Sequence, residues 1–192
     1  AGHPNDAQAD NLANIGFAIY MGGTDAAYKR NQVAAEWGEK LDALEKQHPH
    51  HYPHLVTIYP DKGHWMDRQD ASALPWMMKF TRKPLPSTVF WRKDGNPQER
   101  FYWLEASKDG WTKGAKIVAK IEGQTIDVQA DEGARFQLLL NDDLLDLDKQ
   151  VTVKLNGETI SQTAQRTIST MCESLTQRFD PSCVFSAKMQ VE

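Results

Sequence analysis

Two titratable side chains stand where short apolar runs give way to glycine-containing turns. Asp25 ends the turn Gly22-Gly23-Thr24-Asp25 after the run Ile15–Met21 (IGFAIYM), and His64 lies in Gly63-His64-Trp65 after the run Leu55–Tyr59 (LVTIY). An imidazole works as a general base when a carboxylate fixes its other ring nitrogen. The carboxylate selects the tautomer and stabilises the imidazolium that forms. Asp25 and His64 are the right types for that pair, and Gly63 is expected to let the backbone turn sharply so that the ring points back. Simpler readings compete. Asp25 has the type of a helix N-cap, and His64 of a surface-loop histidine. Asp61, Asp67 and Asp70 are rival partners, although Asp67 and Asp70 sit too close in sequence to approach the ring from the next strand.

The elements around these residues must bring them to one place. Ala1–Asn14 is polar and loop-like, and Ile15–Met21 suits a strand of a parallel sheet buried on both faces. Ala26–Lys46 reads as a helix, with Val33, Trp37, Leu41 and Leu44 at helical spacing and Glu36–Lys40 and Asp42–Lys46 as i,i+4 pairs. His48–His54 is a proline-broken loop, Leu55–Tyr59 a second strand, and Ala71–Phe80 a short helix with Pro75 in its first turn. This βαβα order implies a parallel sheet, whose catalytic groups lie outside the carboxyl ends of the strands. Asp25 and His64 follow two adjacent strands, at the same edge. Two strands alone cannot bury both faces, so the unit is expected to be the end of a larger sheet.

Composition shifts near Pro84 and Pro86, which divides the chain into an α/β unit, residues 1–85, and a β unit, residues 86–192. Three hairpins are expected in the second: Thr88–Arg92 with Arg100–Glu105 across Lys93-Asp94-Gly95-Asn96-Pro97, Lys116–Ile121 with Thr125–Gln129, and Val151–Leu155 with Glu158–Ser161 across Asn156-Gly157. Phe136–Leu140 adds a strand, Thr167–Phe179 a late helix and Val184–Val191 a last strand. The fold class is therefore α/β plus β, ending in an antiparallel β-sandwich.

With acid before histidine, the stretches FAIYMGGTDAAY and LVTIYPDKGHWMD resemble the last two strands of the serine α/β-hydrolases. They are most similar to the dienelactone-hydrolase and prolyl-oligopeptidase-like esterases, where the acid follows a G-x-x-D turn and the histidine sits in a G-H turn. The opening Ala1-Gly2-His3-Pro4-Asn5 resembles the loop that leaves the preceding strand. The resemblance covers about the first 80 residues. It implies that Asp25 and His64 are the acid and the base of a Ser-His-Asp triad. The nucleophile elbow G-x-S-x-G appears nowhere in the 192 residues. The expectation is a C-terminal part of a serine hydrolase whose serine and oxyanion donors lie outside this chain.

Other clusters read as scaffold. His48, His50, His51 and His54 are interrupted by Pro49 and Pro53, which removes the fixed spacing a metal site needs. Asp142, Asp143, Asp146 and Asp148 lack the glycine and terminal glutamate of a calcium loop. The aromatic residues Phe90, Trp91, Phe101, Tyr102, Trp103 and Trp111 are dense. Neighbours along a strand face opposite sides, so one set is expected in the sandwich core and the other against the first unit, with a sugar-binding platform as the sharper alternative. Cys172 and Cys183 make no disulfide framework, and a bridge between them is the minority reading.

Charged residues are 25% of the chain with a net charge of -4 and no basic stripe, which argues against nucleic acid. No apolar run approaches the ~20 residues that span a bilayer, so no membrane partner is expected. The reading is a hydrolase part acting on an ester or peptide bond, with no metal or organic cofactor. A non-catalytic β-sandwich module for carbohydrate or protein is the alternative. The bare strand edge Ile15–Met21 is expected to favour self-association.

Overall fold

A computed structural model describes residues 8–93, 98–107 and 111–191. The opening segment Ala1–Asn5 and most of the loop Lys93–Pro97 lie outside the described residues. The chain has mixed helix and sheet content, with eleven strands in three sheets and three α-helices among the described residues. It divides into two compact units between Arg82 and Lys83.

In the first unit β1 (Phe17–Gly22) and β2 (His54–Tyr59) pair in parallel, from Phe17 opposite His54 to Gly22 opposite Tyr59. The helix α1 (Arg30–Gln47) connects them and buries Val33, Ala34, Gly38 and Leu41. Gly38 faces Val56, with room for a Cβ at ordinary contact distance, 3.4 Å from Val56 Cγ1. The helix was expected from Ala26 but starts at Arg30. Tyr28 and Lys29 adopt left-handed backbone angles, φ 54° and 56°, and interrupt it after a short 3₁₀ turn, Ala27–Lys29. The second helix is also shorter than Ala71–Phe80: a 3₁₀ turn, Gln69–Ser72, leads into α2 (Ala73–Met77), with Pro75 in its first turn. Apart from Gly22, every residue of the two strands is half-buried rather than buried.

The second unit has two sheets around one core. Its strands are β3 (Thr88–Arg92), β4 (Arg100–Phe101), β5 (Leu104–Ala106), β6 (Lys116–Glu122), β7 (Thr125–Ala130), β8 (Phe136–Leu140), β9 (Gln150–Leu155), β10 (Glu158–Thr163) and β11 (Ala187–Gln190). One sheet runs β10-β9-β7-β6-β3 and the other β11-β8-β5-β4. The alternation Ile117, Ala119, Ile121 in β6, Ile126, Val128 in β7 and Val151, Val153 in β9 points one face of the first sheet into the core. Asn156 (φ 49°) and Gly157 (φ 93°) both take the positive φ of a type I′ turn between β9 and β10.

Three expectations are corrected. The segment Thr88–Arg92 does not form a hairpin with Arg100–Glu105: β3 pairs with β6, while β4 and β5 belong to the opposite sheet. The sandwich is not wholly antiparallel, because β7 and β9 pair in parallel. The connection between them runs through β8 in the other sheet and so returns the chain in the same direction. The aromatic residues form no solvent-facing platform. Phe90, Trp91 and Trp103 are buried, and Trp91 and Trp103 both belong to the second unit's own core. Trp91 stacks with Phe101 and packs on Trp111, with centroids 6.0 and 4.6 Å apart. Because β3 and β4–β5 lie in opposing sheets, Trp91 of one and Trp103 of the other meet in the same interior, whereas Phe90, next to Trp91 along β3, is buried outside that core.

Helix α3 (Ile168–Arg178) is capped by Thr167, whose side chain accepts from the Thr170 N–H, and ends at Phe179 in the left-handed region. Cys183 is buried, Cys172 is exposed, and both are free thiols. Among the described residues no helix is long and apolar enough to cross a membrane.

Candidate active site

Parallel pairing in this register puts the carboxyl ends of β1 and β2 side by side, and backbone hydrogen bonds tie the two following turns together. Gly23 N–H donates to Tyr59 O (2.7 Å), Thr24 N–H to Lys62 O (2.9 Å), and the Thr24 hydroxyl to the same carbonyl (2.8 Å). The approach is close enough to restrict the residue types. A Cβ on Gly22 would lie 2.0 Å from Gly63 O, and one on Gly23 2.8 Å from Pro60 Cα. Gly63 itself has an ordinary φ and room for a Cβ, whose nearest neighbour would be Thr24 Oγ1 at 3.7 Å. The demand for glycine therefore falls on residue 22, not on the histidine turn as expected. Gly22→Ala should destabilise the first unit by about 1–3 kcal/mol through overpacking, whereas Gly63→Ala should be nearly neutral. Chemical denaturation of the two variants checks this, and equal stabilities would refute it.

These turns bring Asp25 and His64 together. His64 Nδ1 lies 2.9 Å from Asp25 Oδ2. An ionised carboxylate only accepts, so Nδ1 carries the proton and donates it, which leaves Nε2 of the neutral ring as an acceptor. The Asp25 side chain is 4% exposed and the His64 side chain 57%, so a buried carboxylate holds a solvent-accessible imidazole. The ring meets Trp65 edge-on, with centroids 5.3 Å apart, and the Trp65 side chain is exposed. Among the described residues no hydroxyl is hydrogen-bonded to Nε2. Asp67, a rival partner, pairs instead with Lys62 at 2.7 Å.

Asp25 is not a helix cap. The N-cap of α1 is Lys29, which makes no side-chain cap bond. The carboxylate is instead gripped by Arg30, with Nε donating to Oδ2 at 2.9 Å and Nη2 to Oδ1 at 2.6 Å. The Arg30 guanidinium, and then the His64 hydrogen bond, hold the Asp25 carboxyl below the usual carboxylate range against the opposing effect of burial. Arg30 was not singled out in the sequence, because only the structure shows that the helix starts there, which makes Arg30 a first-turn cation that calls for a local anion.

The other clusters behave as scaffold. His54 bonds the Tyr52 carbonyl (2.8 Å) and Asp42 (3.1 Å), and His51 bonds Asn14 (3.2 Å). No group of three metal-capable side chains occurs among the described residues. In the acidic run Asp142 and Asp148 both pair with Arg166, and Asp146 pairs with Lys149. No family model, no curated protein and no solved structure matches the chain.

Proposed function

We propose that this chain supplies the acid and the base of a serine hydrolase that cleaves an ester or peptide bond by acyl transfer. The carrying observation is the 2.9 Å contact between His64 Nδ1 and Asp25 Oδ2 at the carboxyl ends of two parallel strands, with the acid buried and the ring accessible. In this reading His64 Nε2 takes the proton of a serine supplied from outside these residues, then returns it to the leaving group. Asp25 holds the tautomer and stabilises the imidazolium. The proposed chemistry calls on no metal or organic cofactor. The gene gives the direct test. Its coding sequence upstream of Ala1 should contain an in-frame G-x-S-x-G, and the longer protein should be labelled by a fluorophosphonate at that serine. An independent start with nothing upstream would favour the alternative, a β-sandwich binding module. Against that alternative, none of the aromatic residues nominated as a sugar platform is exposed: Trp91 and Trp103 lie in the core, Phe101, Tyr102 and Trp111 pack against it, and Phe90 is buried outside it.

The same reading bears on association. Among the described residues β1 pairs with β2 alone, and Phe17, Ile19, Val56 and Ile58 are half-exposed. An unpaired strand edge beside such a surface is a template for another chain. The chain should therefore self-associate through the first unit. Light scattering at micromolar concentration checks this, and a persistent monomer would refute it.

A further inference from the structure

Arg30 makes two of the three hydrogen bonds that side chains donate to the Asp25 carboxylate. Its Nε and His64 Nδ1 share Oδ2, both at 2.9 Å, while Nη2 takes Oδ1 at 2.6 Å. A guanidinium forked on both oxygens removes the carboxylate's freedom to rotate. The atom on which the imidazole hangs is therefore one that Arg30 holds in place.

The chain accepts several local costs to achieve this. Tyr28 and Lys29 take left-handed angles, which non-glycine residues seldom adopt. They delay the start of α1, so that its first residue, Arg30, turns back over Asp25. That residue is a cation at the positive end of the helix dipole. Tyr28 in turn lies beside the guanidinium, 5.9 Å from ring centroid to Arg30 Cζ. The next residue, Asn31, fastens the turn by donating from Nδ2 to Gly23 O at 2.7 Å.

We infer that Arg30 is a positioning residue of the candidate site: by locking the rotation of Asp25 it fixes Oδ2 on His64 Nδ1 and keeps Nε2 free to accept a proton. The inference rests on the reading of Asp25 and His64 as acid and base, but its test needs no turnover. The full chain, labelled with ¹⁵N on its histidine rings, is examined by NMR at a pH where the His64 ring is neutral. Ring nitrogen shifts report which nitrogen carries the proton.

In the unsubstituted chain His64 should be a single Nδ1-protonated tautomer. Arg30→Gln should lose that form in favour of an exchanging mixture. Arg30→Lys should lose part of it, because an ammonium keeps the charge but not the fork. A parent-like tautomer in a folded Arg30→Gln would overturn the inference and reduce Arg30 to a brace for the loop. If Arg30→Gln loses the folded amide pattern, Arg30→Lys decides, and a parent-like tautomer there overturns the inference equally. Asp25→Asn is the separate control. An unchanged tautomer in that variant would remove the Asp25–His64 pair, and the proposed function with it, whereas silence confined to the Arg30 variants would remove the positioning role alone.

Discussion

Purified by itself, the chain should hydrolyse short aryl esters no faster than buffer. If the proposed function holds, then in a protein that also carries the serine His64→Ala should lower kcat on the order of 10⁶-fold. Asp25→Asn should lower it about 10⁴-fold by allowing the wrong tautomer. The size of the first effect follows from the way a triad acts as one unit. Without the base the serine hydroxyl keeps its proton, and what is left is binding and oxyanion stabilisation. KM should change little, because neither side chain needs to hold the ground state of the substrate. Steady-state kinetics on the three proteins decide the matter. Turnover that survives His64→Ala would mean that the chemistry belongs to other residues. Turnover by the isolated chain that His64→Ala abolishes would reveal a nucleophile within these residues.

The second large effect is expected in the other unit. Arg100→Met should lower the stability of the second unit by about 3 kcal/mol, a fall in Tm of roughly 15 °C for a unit of this size. Arg100 is 4% exposed. Its guanidinium donates to the carbonyls of Ser174 (3.0 Å), Cys183 (2.6 Å) and Tyr102 (3.2 Å), and it lies 4.6 Å from the centroid of the Phe185 ring. One side chain thus ties α3 and the segment after it to the β4–β5 turn. Burial lowers its pKa from the usual arginine value, because taking the guanidinium out of water disfavours the charged form. Methionine keeps the length of the stem but cannot satisfy the carbonyls, and their desolvation sets the size of the loss. Arg100→Lys should recover only part of it, since a single compact ammonium nitrogen cannot stand in for the three guanidinium nitrogens that reach the three carbonyls. Thermal unfolding followed by tryptophan circular dichroism checks this, and an unchanged Tm in Arg100→Met would refute it.

What the sequence determined by itself was local. The apolar runs IGFAIYM and LVTIY, broken by Gly22 and Pro60, placed β1 and β2 to within two residues, because run length and its breakers are properties of neighbouring residues. Asn156-Gly157 dictated its own turn, since both residues tolerate positive φ. Asp25 and His64 could be nominated together because strand order alone sets which ends of parallel strands coincide. The tertiary structure decided everything that depends on close approach. It moved the need for glycine from residue 63 to residue 22, because only packing reveals where a Cβ has no room. It introduced Arg30, whose reach to Asp25 depends on two left-handed residues that no periodicity announces. It sent β4 and β5 to the sheet opposite β3, which brought Trp91 and Trp103 into one core instead of onto one hairpin. Turn signals specify where a chain bends. The choice between pairing with the preceding strand and crossing to another sheet is made by the apolar surface that each arrangement buries, and that is a property of the whole unit.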